Sequence, residues 1–234
     1  MNRKALLWLA VLAATAVLVA YQVIAAARHP APVAGATPPT VAAGTDVLAG
    51  ITVLPERAHR YDYRRPAFGD AWDDDNDAPG GHNGCDTRND ILHRDLVDIA
   101  EVSIKRCPVA VATGTLHDPY TNATVAFTRG AGVGQSVQID HIVPLAYAWD
   151  MGAHSWPAAR RLRFANDPAN LLAVAGAPNQ DKGDSPPARW MPPNAAFGCQ
   201  YAMAFIAVLR GYGLPIDAPS VPVLRDAAGT CPTG

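Results

Sequence analysis

Lysine and glutamate are nearly missing: the 234 residues include only Lys4, Lys105 and Lys182, and only Glu56 and Glu101. Charge is carried by arginine and aspartate instead, and 19 basic against 21 acidic groups leave a formal net charge of −2. That balance excludes a strongly basic nucleic-acid coat and a strongly acidic solvating tail. It does not exclude an enzyme that grips a few phosphates locally. No Gly-x-Ser-x-Gly, His-Glu-x-x-His or P-loop pattern occurs, so serine hydrolase, zinc protease and nucleoside triphosphatase readings lack support. A zinc-finger or helix-turn-helix signature is also missing, which implies little sequence specificity toward any nucleic acid. There is no internal repeat. With 49% hydrophobic residues, a long disordered tail and a collagen-like repeat are excluded. The length allows one large domain or two small ones, with a core that needs no metal to form.

Asn2-Arg3-Lys4 is a short positive start, and Ala5 to Ala27 is apolar except for Thr15 and Gln22. Residues 1–27 therefore read as a secretory signal peptide with a small-residue exit at Ala25-Ala26-Ala27, or as an uncleaved membrane anchor. The basic residues precede the apolar run, so the bulk of the protein faces outward in either case. Membrane contact is expected only through this segment. Residues 28–50, rich in Pro, Ala and Gly, read as a flexible linker, and the folded domain is expected over 51–234. Removing residues 1–27 takes Arg3 and Lys4 away, leaving 17 basic against 21 acidic groups, a net of −4.

Cys85, Cys107, Cys199 and Cys231 remain in the exported part. An even count in an oxidising compartment favours two disulfides, with three possible pairings, of which sequence proximity favours Cys85–Cys107 and Cys199–Cys231. A zinc site is the rival, but no two cysteines lie two to four residues apart. Ile91, Leu92, Leu96, Val97 and Ile99, behind a capping-type start at Thr87-Arg88-Asn89-Asp90, predict a helix. Thr113 to Arg129 predicts a hairpin turning at His117–Asn122. Strands are expected over 136–143 and 170–174, and helices over 158–165, 178–184 and 197–210, the last stopped by Gly211. The mixture indicates an α+β fold.

The chemistry concentrates in Ile139-Asp140-His141-Ile142-Val143-Pro144. Pro144 ends the strand, so a carboxylate and an imidazole stand together where the ladder stops. About thirty residues on comes Asn170-Leu171-Leu172-Ala173-Val174, then Pro178-Asn179-Gln180-Asp181-Lys182-Gly183-Asp184. Over 136–184 this order resembles the HNH nucleases, whose ββα-metal core is a two-stranded ribbon and a helix around one metal ion. Phe68-Gly69-Asp70-Ala71-Trp72 and His82-Asn83-Gly84-Cys85-Asp86-Thr87-Arg88-Asn89-Asp90-Ile91-Leu92 extend the likeness. These runs resemble exported actinobacterial HNH proteins related to the C-terminal domain of the GmrSD-type restriction enzymes.

The resemblance implies an exported endonuclease that hydrolyses phosphodiester bonds in DNA, and in RNA as the other candidate. His141 would be the general base, since a neutral imidazole can take a proton from attacking water. Asp140 and Asn179 would ligate a divalent metal, with Mg²⁺ or Mn²⁺ favoured because both donors are hard oxygens and no histidine stands at the helix position. Asn170 would position the loop or the imidazole of His141, and Lys182 would neutralise a phosphate. A nucleic acid is the implied partner, and no partner protein is implied. The alternative is a non-catalytic extracellular cation-binding or interaction module on the same fold, motivated by the acidic net charge.

Other candidates have plainer readings. Asp73-Asp74-Asp75-Asn76-Asp77 lacks the EF-hand Gly and Glu, because Ala78 and Gly84 occupy those positions, so it reads as a solvated acidic turn or an irregular cation site. Arg88 is expected to reach a phosphate or to pair with a neighbouring aspartate. His82 and His117 read as surface residues, and His154 belongs to the connection between the ribbon strands. Trp149, Trp156 and Trp190 are expected in the core, with base stacking as the other role open to them.

Overall fold

The computed structural model describes residues 38–130 and 136–234. The segment read as signal peptide or anchor lies outside them. So does the first part of the expected linker. Among the described residues no helix is long and apolar enough to cross a membrane.

Among the described residues, seven strands and six α-helices form an α+β domain. The strands are β1 (Val53–Leu54), β2 (Val97–Ile104), β3 (Cys107–His117), β4 (Thr124–Thr128), β5 (Val137–His141), β6 (Leu171–Ala175) and β7 (Ile216–Asp217). The helices are α1 (Thr87–Asp95), α2 (Leu145–Asp150), α3 (Ala158–Asn166), α4 (Gly176–Lys182), α5 (Gly198–Tyr212) and α6 (Ser220–Ala228). Strands β2-β3-β4 make an antiparallel sheet, β5-β6 an antiparallel ribbon, and β1-β7 a short parallel pair.

The hairpin, the ribbon strands and the three later helices fall where the sequence places them. Helix α1 is shorter than its apolar stripe suggests. It is capped by Asp86, whose carboxylate accepts the Asn89 N–H at 2.8 Å, and it ends at Asp95. Leu96 is extended, and Val97 and Ile99 lie in β2. Their β-branched side chains suit the pleated surface against β3 better than a third helical turn. Helix α5 runs past Gly211 and stops at Gly213, the residue that takes the left-handed conformation, with φ 60°. The Gly213 and Leu214 N–H groups then close back on Arg210 and Leu209. The connection between β5 and β6 holds, besides the expected helix α3, the short helix α2, which the sequence reading did not include.

Residues 38–50 are not a free linker. Val47 and Leu48 are buried in the main apolar core, and the Val41 N–H donates to the Pro232 carbonyl at 2.9 Å. Apolar side chains spaced among the small residues give this stretch enough area to bury, so the fold begins before Ile51. That main core gathers α2, α3, α5 and α6 around Tyr147, Phe164, Phe205 and Ile206, and it includes Trp149, with Trp156 and Trp190 packed against it. A second core joins α1 to the sheet and ribbon through Ile91, Leu92, Leu116, Val137 and Leu171. The ribbon thus lies between two cores, which fixes its position.

Both favoured disulfides are present, Cys85–Cys107 and Cys199–Cys231, at sequence separations of 22 and 32. The first ties the approach to α1 onto β3, and the second ties α5 to the C-terminal end. On chain-entropy grounds each stabilises by about 3 kcal/mol. Replacing Cys85 and Cys107 together by serine should lower the unfolding free energy in urea by that amount, and an unchanged value would show the link to be redundant.

Candidate functional site

Strand β5 delivers Asp140 and His141 as its last two residues, and alternation sends them to opposite sides. Asp140 turns toward Tyr120 and Lys182. Its Oδ2 accepts the Tyr120 hydroxyl at 2.5 Å and the Lys182 ammonium at 2.5 Å. Burial pushes the Asp140 carboxyl up and the Lys182 amine down, and their mutual ion pair opposes both shifts. Burial also holds the Tyr120 hydroxyl well above its ordinary value, so it stays a donor. Both side-chain bonds fall on Oδ2, so Oδ1 accepts from no other side chain among the described residues.

His141 turns the other way. Its ring lies nearly parallel to the Trp72 ring, at 5.6 Å between centroids and 10° between planes. Nε2 meets the Ala165 carbonyl at 2.8 Å, and a carbonyl only accepts, so Nε2 carries the proton. Nδ1 therefore keeps its lone pair, with no hydrogen-bond partner among the described residues. The residue is 7% exposed. Burial, first of all, lowers its pKa from 6.5 to about 3, and the nearby Arg65 and Lys182 charges act in the same direction. The imidazole is neutral across the physiological range. Between pH 6.5 and 3 the unfolded chain binds a proton here that the folded chain refuses, so this group's contribution to stability is complete above 6.5 and falls as the pH drops toward 3. The NMR shifts of this imidazole should stay constant from pH 8 to 5, and a titration near 6.5 would contradict its burial.

Asn170, fully buried, clasps the chain just beyond β5. Its Oδ1 accepts the Val143 N–H at 2.8 Å, its Nδ2 donates to the Val143 carbonyl at 3.2 Å, and its own carbonyl takes the Ile142 N–H. Of the two roles open to it, bracing the backbone is the one the contacts display. Asn179, on α4, donates through Nδ2 to Gln138 Oε1 at 2.8 Å, which leaves its Oδ1 free of hydrogen bonds among the described residues.

Lys182 is not where a phosphate contact belongs. It is 0% exposed, and its ammonium also donates to the His141 carbonyl at 2.7 Å and the Ile142 carbonyl at 3.2 Å. Three acceptors use its three N–H bonds. The last turn of α4 tucks the side chain beneath β5, where Trp190 and Tyr201 cover it. The lysine expected from sequence to neutralise a phosphate is a buried counter-ion.

Asp140, His141 and Asn179 line one cleft of about 780 Å³, together with Gln138, Arg65, Trp72 and Arg88. Arg65 is exposed and has no acidic partner among the described residues. Arg88 donates to the Val137 carbonyl at 3.1 Å, and burial lowers its pKa from a very high starting point. Arg60 also lines the cleft but is held by Asp62 at 2.6 Å. The wall bearing these groups is pinned by the buried Asp150 of α2, which takes Arg57 Nε at 2.6 Å and the Arg60 N–H at 2.9 Å. Tyr120, Arg65 and the stacking of Trp72 were not found from sequence. Trp72 carried a motif without visible chemistry, Tyr120 read as a turn residue, and an arginine before a proline has no distinguishing spacing.

In the acidic run 73–77, Asp74 and Asn76 turn inward, while Asp75 and Asp77 stay exposed beside His82. Asp74 accepts the Asn83 and Gly84 N–H groups, each at 3.0 Å, and Asp73 accepts that of Asp75. Among the described residues no three His, Cys, Asp or Glu side chains gather as a metal centre. An Asp-Asn pair of oxygen donors beside a neutral, tethered imidazole is what the cleft offers, on an antiparallel ribbon followed by a helix.

That arrangement is an antiparallel ribbon followed by a short helix, with Asp140, His141 and Asn179 on one cleft. Over residues 86–216, more than half of the chain, the sequence matches the family of GmrSD restriction endonucleases, C-terminal domain. The chain belongs to that family. It is also similar to an "Uncharacterized secreted protein" of Arthroderma benhamiae, 34% identical over 221 residues, which are 92% of this chain and 97% of the relative. No solved structure matches the chain. Arg65 and Trp72 precede the residues matched by the family.

Proposed function

We propose that the protein is an exported, metal-dependent nuclease that hydrolyses phosphodiester bonds in DNA, with RNA as a second substrate. The observation that carries this reading is His141: a neutral imidazole, tethered through Nε2 and open at Nδ1, in the cleft that Asp140 and Asn179 also line. Export is supported by the basic and apolar start of the chain, by the two disulfides and by the description of the Arthroderma relative as secreted.

In this reading Nδ1 removes a proton from the attacking water, and the Ala165 carbonyl holds the imidazole in the tautomer that can do so. The Trp72 ring restrains the plane of the imidazole. Arg88 takes the phosphate contact first assigned to Lys182, and together with Arg65 it supplies a local positive field to an acidic chain. Asp140 Oδ1 and Asn179 Oδ1 fit a hard cation such as Mg²⁺ or Mn²⁺, with Lys182 and Tyr120 fixing the other carboxylate oxygen. When bound, that cation would stabilise the charge developing on the phosphate and the leaving oxygen.

The test is to incubate the purified exported domain with plasmid DNA and Mg²⁺ or Mn²⁺, with and without EDTA. Metal-dependent conversion of supercoiled plasmid to nicked and linear forms is expected. No cleavage, or cleavage that survives EDTA, would overturn the reading and return the protein to the class of binding modules.

A further inference from the structure

The run Phe68-Gly69-Asp70-Ala71-Trp72 lies before the residues matched by the family, and the hydrolytic roles use only its tryptophan. This run folds around a second cavity of about 190 Å³, which shares Arg65, Trp72 and His141 with the main cleft. Pro66, Phe68, Trp72 and Leu145 give it apolar walls. Gly69 adopts φ 90°, a conformation that side chains strongly disfavour, so the turn presenting Asp70 depends on glycine. Two charged groups of opposite sign, Arg65 and Asp70, line this small space. They form no ion pair with each other, and neither has another side-chain partner among the described residues.

A cavity of this size, walled by an indole and aliphatic groups, suits one planar heterocycle and not a stretch of chain. Its polar equipment narrows the choice. A carboxylate accepts two N–H bonds side by side, and a guanidinium donates two toward adjacent acceptors. Among the nucleobases, guanine alone presents the N1–H and N2–H donors together with the O6 and N7 acceptors. In a duplex the N1–H is already paired, so the base must enter unpaired. We propose that this cavity is a subsite for an unpaired guanine next to the scissile phosphate, with Asp70 on its N1–H and N2–H and Arg65 on O6 and N7. The position of the base rests on the nuclease reading, because the cavity adjoins His141. The little specificity expected from sequence thus becomes a preference for one base in single-stranded or frayed substrate.

The test has two arms. Titration of the intact exported domain with GMP, AMP, CMP and UMP, followed by NMR without metal, should show GMP binding about 5- to 150-fold tighter than the others. Asp70→Asn, which keeps the shape but offers the N1–H and N2–H pair only one acceptor, should abolish that advantage. Mapped cleavage ends on single-stranded oligonucleotides should carry guanine on one side of the cut in the wild type and lose it in Asp70→Asn. Equal binding of the four nucleotides, or a guanine advantage that survives Asp70→Asn, would overturn the subsite. Cleavage without base preference would do the same while leaving the nuclease reading intact. Guanine selectivity without any cleavage would instead support the subsite and overturn the nuclease reading.

Discussion

Replacing His141 by alanine should slow hydrolysis by about 10²–10⁴-fold, the usual value of a positioned general base, while the affinity for Mn²⁺ stays nearly constant. The expectation follows from geometry. Nε2 is committed to the Ala165 carbonyl, so a single nitrogen remains for chemistry, and the Trp72 ring restrains the direction in which it points. Removing the ring leaves Asp140 with both of its side-chain donors and Asn179 with Gln138, so the oxygen donors keep their places. Calorimetric titration with Mn²⁺ separates this assignment from the rival in which His141 ligates the metal. Under the rival, metal affinity and activity would fall together. The matching variant on the metal side is Asn179→Ala and not Asp140→Ala, because losing Asp140 would also strand a buried ammonium. Asn179→Ala should weaken Mn²⁺ binding, and excess Mn²⁺ should then restore part of the rate.

Much of the ribbon and its helix was legible from local signals. Asp140-His141 before a proline marked a strand end, and the apolar run after Asn170 marked the return strand. Asn170 and Asn179 themselves were singled out by the likeness to the HNH nucleases and not by short-range patterning. What stayed hidden is what other parts of the chain bring from a distance. Tyr120 reaches Asp140 from the β3–β4 turn, and Trp72 and Arg65 come from a stretch with almost no regular structure. Lys182 shows the limit most clearly. A lysine followed by glycine at the end of a short helix gives the same local pattern whether it faces solvent or core. Its burial is decided by Trp190 and Tyr201, which lie beyond it in the chain. The fold showed the same division, because the pairing of β2 with β3 overrode an apolar stripe that continued the period of α1.

Substituting Lys182 by methionine should cost about 3–5 kcal/mol of stability, the range for removing one partner of a buried ion pair. Asp140 would keep only the Tyr120 hydroxyl among its side-chain donors, and the His141 and Ile142 carbonyls would lose their shared donor. Against a total stability of about 5–15 kcal/mol, that loss should move the urea midpoint far to the left or prevent folding. The phosphate-contact reading predicts the opposite pattern, with weaker nucleic-acid binding, a shallower salt dependence and an unchanged midpoint. A second variant keeps the test decisive where the single one does not fold. In Lys182→Met with Asp140→Asn, neither buried charge remains, and the asparagine oxygen can still accept from Tyr120. The double variant should therefore recover a large part of the lost stability, with a coupling of about 0.5–3 kcal/mol between the two positions. Additive losses would show that Lys182 and Asp140 contribute independently and that the short contact between them carries no coupling. Recovery of the fold without recovery of activity is the expected outcome, because Asp140→Asn removes the carboxylate that the proposed metal site uses.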